Sequence, residues 1–260
     1  MQLHAKSYGQ DNSPPLVILH GLFGSLDNWA GQSNVLAEHF KVWTLDLRNH
    51  GRSDWSEQMS YPAMADDLLA FLDQQGLDSI DLLGHSMGGK VAMQFALDYP
   101  QRVKRLIVVD ISPVRYPPHH TDVFAGLRGV ELDTIGSRRE ADQQLQQQIE
   151  DASIRNFLLK NLYRDGERFN WRANLEVLER EYDFIASPPA PRFEQQRFEA
   201  PTLFIKGAES HYIQAEHRPA IGALFPNAEA RIMNGVGHWP HAEKPKAFNA
   251  LLLRFLSPQA

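Results

Sequence analysis

The segment of this 260-residue chain richest in chemistry is Gly84-His85-Ser86-Met87-Gly88. It is a G-x-S-x-G run, preceded by the apolar stretch Ile80-Asp81-Leu82-Leu83 and followed by a helical pattern carrying Val91, Phe95 and Ala96. That context reads as a strand-to-helix elbow. A turn so sharp forces its central residue into a strained backbone geometry. Side chains two positions to either side would collide, hence Gly84 and Gly88. The turn lifts the Ser86 hydroxyl clear of the sheet edge, and the Met87 N–H points into the same space from a helix N-terminus. Alone, the pentapeptide also fits a Gly-rich turn whose serine caps the helix. Strand before and helix after favour the nucleophile.

A serine hydroxyl attacks only when a base takes its proton. Of eleven histidines, His238 fits best, in Gly235-Val236-Gly237-His238-Trp239. This loop follows the last expected strand, at the carboxyl edge where Ser86 emerges. His241, three residues on, substitutes if the loop is longer. His85 is fixed beside the nucleophile by the elbow, so its side chain should point into packing. The oxyanion made by attack on a carbonyl needs N–H donors. In His20-Gly21-Leu22-Phe23-Gly24 a second turn after a strand leaves the Leu22 N–H free to face it beside that of Met87. Losing one such donor typically costs about 10²–10³ in turnover.

Short apolar runs halt just before each of these turns. Leu16–Leu19 halts at His20-Gly21, Val42–Leu47 at Arg48-Asn49-His50-Gly51, and Ile80–Leu83 at Gly84. Runs this short, ending in Gly-bearing turns, fit parallel strands covered on both faces. Between them, Ser60 reads as an N-cap and Pro62 as a first-turn proline. Met64, Leu68, Phe71 and Leu72 keep helical spacing until Gly76 stops it. The helix after Ser86 ends before Pro100, and Val103 to Ile111 is another strand. Strand and helix in alternation imply a right-handed, mostly parallel α/β sheet.

From Pro113 to Phe198 no strand run stands out. Two amphipathic helical patches do, Phe157 with Leu158 and Leu162, and Leu175 with Leu178 and Tyr182. Ser187-Pro188-Pro189-Ala190-Pro191 reads as a stiff connector. Alternation resumes with strands at Thr202–Ile205 and Ala230–Met233, and a last helix from Pro245 carries Phe248, Leu251, Leu252 and Phe255 on one face. The expectation is one α/β core, residues 1–112 and 199–260, interrupted by a helical insertion over 113–198.

With 26 basic and 32 acidic residues the formal charge is −6, and 43% apolar with 22% charged residues is ordinary globular composition. Mild acidity argues against a nucleic-acid or anionic-membrane surface. There is no cysteine, which excludes disulfides, thiolate metal sites and a Cys nucleophile. No apolar run reaches the roughly 18–20 residues of a membrane span. Met1 to Asn12 carries no apolar segment of signal-peptide length, so a cytoplasmic protein is expected. His119-His120 and His211/His217 lack a third ligand at metal spacing, so no metal or organic cofactor is expected. Arg155, Lys160, Arg164, Arg168 and Arg172 interleave with Asp151, Asp165 and Glu167, the pattern of a solvated face rather than an anion site.

His20-Gly21, Asp46-Leu47-Arg48-Asn49-His50-Gly51, Gly84-His85-Ser86-Met87-Gly88-Gly89 and Gly237-His238 with Glu243-Lys244-Pro245 together resemble the α/β-hydrolase superfamily, in its chain order and over nearly the whole length. More narrowly, His20 to Ser25, Arg48 to Gly51 and Gly84 to Lys90 resemble the bacterial YbfF-type esterases. The resemblance implies a Ser-His-acid hydrolase with a helical cap over its site, matching the insertion. In the superfamily the acid usually lies in the loop after the Thr202–Ile205 strand. Here that loop reads Lys206-Gly207-Ala208-Glu209-Ser210-His211, with Ser210 where an aspartate is expected and Glu209 one position early. Asp110, at the end of the Leu106–Val109 strand, can reach the same histidine from the neighbouring strand. Val109-Asp110-Ile111-Ser112-Pro113 is similar to the YbfF-type context, and this selects Asp110, with Glu209 as the alternative acid.

The expected activity is hydrolysis of carboxylic esters with short to medium apolar acyl groups, through an acyl-enzyme. Ser86 attacks, His238 shuttles the proton, Asp110 orients His238, and the N–H groups of Leu22 and Met87 hold the oxyanion. Phe23, Trp239, Tyr163 and Trp171 are expected to form the apolar substrate pocket. Asp46, Arg48 and His50 are read as loop supports. A thioesterase acting on acyl-CoA or other thioesters would use the same triad. A ligand-binding protein on a hydrolase scaffold is the alternative of another class. The expected partner is a small-molecule ester or thioester, with no nucleic acid and no membrane span, and the chain is read as a monomer or weak homodimer.

Overall fold

The short apolar runs become the centre of one sheet in a computed structural model, which describes residues 1–193 and 196–257. Among these residues the strands are β1 (Ala5–Tyr8), β2 (Pro15–Leu19), β3 (Lys41–Leu45), β4 (Ile80–His85), β5 (Val103–Val109), β6 (Leu162–Asp165), β7 (Arg168–Trp171), β8 (Thr202–Gly207) and β9 (Ala228–Met233). Seven of them form the main sheet in the order β1-β3-β2-β4-β5-β8-β9, while β6 and β7 pair with each other. Within the main sheet β1 runs antiparallel to β3 and all other neighbours are parallel. The helices are α1 (Ala30–Leu36), α2 (Tyr61–Gln74), α3 (Met87–Asp98), α4 (Thr121–Gly129), α5 (Arg138–Leu145) and α6 (Ala152–Leu158). They continue with α7 (Leu175–Arg180), α8 (Tyr182–Ala186), α9 (Arg218–Leu224), α10 (Pro240–Glu243) and α11 (Pro245–Leu256).

Side chains of the central strands alternate between two apolar clusters. Leu16, Ile18, Leu83, Ile107 and Val109 face one side, against Leu36 of α1 and Phe248 and Leu252 of α11. Val17, Leu19, Leu82, Leu106 and Val108 face the other, against Met64 and Leu68 of α2 and Val91 of α3. Both faces are covered, which is why these strands read as continuous apolar runs. Each such buried Val, Leu or Ile contributes about 1.5–3 kcal/mol. The chain leaves β2 for β3 on one side and returns to β4 on the other. This reversal opens a crevice at the carboxyl ends of β2 and β4, directly before Leu22 and Ser86.

The structure adds one strand to the sequence reading and corrects that reading in two places. The polar N-terminal stretch contains β1, an edge strand with Lys6 and Ser7 exposed, so it shows no apolar run. The expected strand to Ile111 stops at Val109, because Asp110 takes a left-handed backbone, φ 50°. The region read as free of strands holds the β6–β7 hairpin. Gly166, φ 61°, is the first central residue of its two-residue turn, as a II′ hairpin requires. Four-residue strands with exposed Arg164, Asp165 and Arg168 leave almost no alternation to detect. Leu162 is therefore a strand residue, and Tyr182 opens α8 instead of continuing the helix of Leu175 and Leu178.

The segment between β5 and β8 otherwise holds α4 to α8. Glu194 and Gln195, within the expected 113–198 insertion, lie outside the described residues, as do positions 258–260 of the expected core. Phe124, Leu127, Leu158 and Leu178 of this segment join the apolar cluster on the α2–α3 side of the sheet. Polar ties reach the sheet-edge loops and α3. Asn174 N–H donates to Asn49 O at 2.9 Å, and Lys90 Nζ donates to Ala186 O at 2.9 Å and Ser187 O at 2.6 Å. Gln94 Nε2 donates to Ala190 O at 2.9 Å, so α3 grips the connector that follows α8.

Candidate active site

Ser86 sits between β4 and α3 at φ 53°, ψ −120°. Its N–H donates to Val109 O at 3.0 Å, anchoring the elbow to β5. A Cβ on Gly84 would strike the Gly88 backbone, and one on Gly88 would strike the carbonyls of Leu19 and His20. The elbow closes only because both positions are glycine. Phe23, Asn49, Ser86 and Asp110 are the non-glycine residues with positive φ among those described. Each costs on the order of 1–3 kcal/mol and persists only where its surroundings impose it, and all four lie in turns after main-sheet strands.

The structure brings Ser86, His238 and Asp110 together. Ser86 Oγ donates to His238 Nε2 at 3.0 Å, and His238 Nδ1–H donates to Asp110 Oδ2 at 2.8 Å. Asp110 is fully buried, yet its carboxylate is satisfied: Oδ1 accepts from Gly207 N–H at 3.0 Å and Oδ2 also accepts the Ser210 hydroxyl. Ser210, noted in the sequence only as an absent aspartate, thus touches Asp110 itself. Glu209 is exposed and makes no side-chain bond to Asp110 or His238.

The histidine is held on several sides. Glu243 accepts the N–H groups of Gly237 at 2.8 Å and Trp239 at 3.1 Å, tying the loop to α10. His85 Nε2–H donates to His238 O at 2.7 Å. His85 is buried against Trp29 and His241, so the expected packing role comes with a specific hydrogen bond. Tyr212 stacks on the His238 ring at 4.1 Å between centroids, a contact without a sequence signal. A Cβ at Gly207 would overlap Gly237 O, so the end of β8 and the histidine loop meet at backbone contact. His241 stacks on Trp29 at 4.3 Å, and burial pushes it down to about 3. It is no substitute for His238 beside Ser86.

Among the described residues the N–H groups of Leu22 and Met87 meet no acceptor, and both residues border Ser86. The two N–H groups that follow Leu22 are engaged. Phe23 N–H donates to His50 Nε2 at 3.2 Å, and Gly24 N–H to Gly21 O at 2.9 Å. His50 Nδ1–H donates to Arg48 O at 2.9 Å, while His20 accepts from Leu47 N–H at 3.0 Å and donates to Gly21 O at 2.8 Å. Burial pushes His20 down to about 4 and His50 to about 3, so both are neutral, with one donor and one acceptor nitrogen each. Asp46 accepts from Leu26 N–H at 2.8 Å and Arg52 N–H at 2.9 Å. Arg48 pairs with buried Asp67 at 2.6 Å. These groups act as supports for the loops.

A cavity of about 610 Å³ lies over Ser86 and His238, within the range for small-molecule sites. Phe23 and Trp239 line it, together with Ile154, Phe157 and Leu158. Tyr163 and Trp171 do not. The Trp171 indole N–H donates to Leu127 O at 3.1 Å inside the packing, and Tyr163 lies under the Arg172 guanidinium at 4.4 Å. The unforeseen hairpin carries both away from the cavity. His119 and His120 line it instead, with burial pushing His120 down to about 3. The paired histidines were visible in the sequence, but their placement was not. Of the basic residues noted in the insertion, Lys160 alone lines this cavity, while Arg155 pairs with Asp142 at 2.7 Å and Arg168 with Asp133 at 3.5 Å. Among the described residues no group of three or more His, Cys, Asp or Glu is placed to hold a metal ion, and no helix is long and apolar enough to cross a membrane.

A family model described as the alpha/beta hydrolase fold matches residues 14–245. The chain is 42% identical to the mouse (Mus musculus) sn-1-specific diacylglycerol lipase ABHD11, over 96% of this chain and 83% of that protein. It is 38% identical to esterase YbfF of Escherichia coli (strain K12), over 95% of each. A solved structure titled "Marine microorganism esterase" superposes with TM-score 0.94 at 38% identity, covering 98% of this chain and 99% of the other. With a family match across most of its length and relatives at this identity along nearly all of it, the chain belongs to the alpha/beta hydrolase fold family.

Proposed function

We propose that the chain is a serine carboxylesterase in which Ser86, His238 and Asp110 form the catalytic triad. Ser86 Oγ attacks the ester carbonyl carbon as its proton passes to His238 Nε2. The carbonyl oxygen becomes an oxyanion held by the N–H groups of Leu22 and Met87. The carbon–oxygen bond to the alcohol then breaks, and His238 returns the proton to the leaving oxygen. Water attacks the acyl-Ser86 ester, giving its proton to His238. Collapse releases the acid and restores the Ser86 hydroxyl. Asp110 keeps the Nδ1 proton in place and offsets the imidazolium charge.

One observation carries this reading: the unbroken chain Ser86 Oγ, His238 Nε2 at 3.0 Å, and His238 Nδ1 to Asp110 at 2.8 Å, beneath a cavity large enough for an ester. Esterase and lipase names among the relatives support it. In the same proposal residues 113–198 act as a cap over residues 1–112 and 199–260, with Phe23 and Trp239 contacting substrate. The enzyme is further proposed to be cytoplasmic and a monomer or weak homodimer, which cell fractionation and light scattering test. A fluorophosphonate probe should label wild type and leave Ser86→Ala unlabelled. Unlabelled, folded wild type would instead favour a ligand-binding protein. Matched esters and thioesters compared by kcat/KM separate the esterase from a thioesterase.

A further inference from the structure

Ser86 stands between two unequal spaces. The cavity of about 610 Å³ includes His238, whereas a second space of about 30 Å³ is bordered by Met87, Ile111, Tyr116 and Ile185 and not by His238. Ser86 and Leu22 border both. When Oγ attacks an ester, the reacting carbon carries an oxyanion, a leaving oxygen and an acyl group. The oxyanion belongs to the N–H groups of Leu22 and Met87. The leaving oxygen must come within hydrogen-bond reach of His238, which protonates it, so the alcohol lies on the His238 side, in the large cavity. The acyl group is left the remaining direction, into the small space.

We infer that the site takes esters of a short acyl group, acetyl or propionyl, with a bulky apolar alcohol. This rests on the serine-esterase reading above and narrows its acyl range. At about 30 Å³ against about 610 Å³, this space offers about a twentieth of the room of the large cavity. It suits a methyl or ethyl group better than a longer chain. Its walls are tied down. Lys90 Nζ donates to Ala186 O at 2.9 Å and Ser187 O at 2.6 Å, with the Tyr116 ring 4.8 Å away. The Tyr116 hydroxyl accepts from Ser112 N–H at 2.9 Å and donates to Tyr212 O. The Tyr61 hydroxyl donates to Ile185 O, fixing one of the residues that line the space. A longer chain would press against this frame, whereas the large cavity, with Ile154, Phe157 and Trp239 in its wall, has room for a long or ring-bearing alcohol.

Two ester series on the purified full chain test the inference. p-Nitrophenyl esters from acetate to decanoate hold the alcohol constant, and acetates of ethanol, butanol, octanol and 2-naphthol hold the acyl group constant. Between propionate and hexanoate kcat/KM should fall at least tenfold, and between ethyl and octyl acetate it should hold or rise. Ile185→Ala and, separately, Ile111→Ala should raise the hexanoate-to-acetate ratio at least fivefold. Wild type that cleaves hexanoate or decanoate as fast as acetate overturns the inference. So does an unchanged ratio in both variants when they are folded and active. In either case ester turnover and Ser86 labelling persist. If neither series is cleaved and the fluorophosphonate leaves Ser86 unmodified, the esterase reading itself has failed and the inference falls with it.

Discussion

Asp110→Asn isolates the acid without changing its shape. The structure dictates which way the new amide must face. Asp110 Oδ1 accepts the Gly207 N–H at 3.0 Å, so the asparagine oxygen belongs there and its NH2 group faces His238 and Ser210. His238 must then offer Nδ1 as an acceptor, which moves its proton to Nε2, where it no longer accepts from Ser86. Flipping the amide sets NH2 against the Gly207 N–H and leaves a buried donor unpaired, at about 1–3 kcal/mol. Both orientations also lose the charge that offsets the imidazolium. The same substitution in another Ser-His-Asp enzyme lowers turnover by about 10⁴, equivalent to roughly 5.4 kcal/mol of barrier. The expected result is that loss in kcat for p-nitrophenyl acetate at neutral pH, in protein that remains folded by circular dichroism. Glu209→Gln, altering an exposed side chain, should stay within about twofold. An Asp110→Asn enzyme within tenfold of wild type, or an equal loss from Glu209→Gln, would refute the assignment.

Burial holds His20 at about 4 and His50 and His241 at about 3, against 6.5 for a free histidine. Below pH 6.5 the unfolded chain binds more protons than the folded one, so stability present above that pH is lost as pH falls toward those values. Three such groups remove about 6 kcal/mol by pH 5; urea unfolding curves at pH 7 and pH 5 that coincide would contradict this. Burial, helped by the nearby Arg115 charge, pushes Lys90 down from 10.5 to about 7. The unfolded chain therefore holds the extra proton between those values, and wild type should gain about 3 kcal/mol over Lys90→Met from pH 7 to 9.5. A constant difference in unfolding free energy would show Lys90 titrating as a free lysine. Gly207→Ala places a methyl against the Gly237 carbonyl and should displace His238 from Asp110. Its kcat should drop at least about 100-fold, as misplacement of a catalytic group does; steady-state kinetics showing less than a tenfold loss would mean the loop yields without moving His238.

The amino-acid order alone determined the parts of this protein whose physics is local. The elbow at Ser86 was legible because a Cβ on Gly84 would strike the Gly88 backbone four residues on, and an apolar run flanked by Gly-bearing turns becomes a buried strand wherever it lies. The order in which Ser86, the Leu22 loop and the His238 loop follow strands was legible for the same reason. The tertiary structure decided what depends on segments far apart in the chain meeting. Asp110 and His238 are 128 residues apart, and their contact follows from the pairing of β5 with β8 and from the left-handed turn at Asp110. Ser210 on the acid, Tyr212 on the imidazole, and Tyr163 and Trp171 turned out of the cavity by a short hairpin are outcomes of the same kind. Periodicity records which face of an element is buried. It carries no information about which distant side chain that face will meet, because sheet register and backbone approach, not local preference, set those distances.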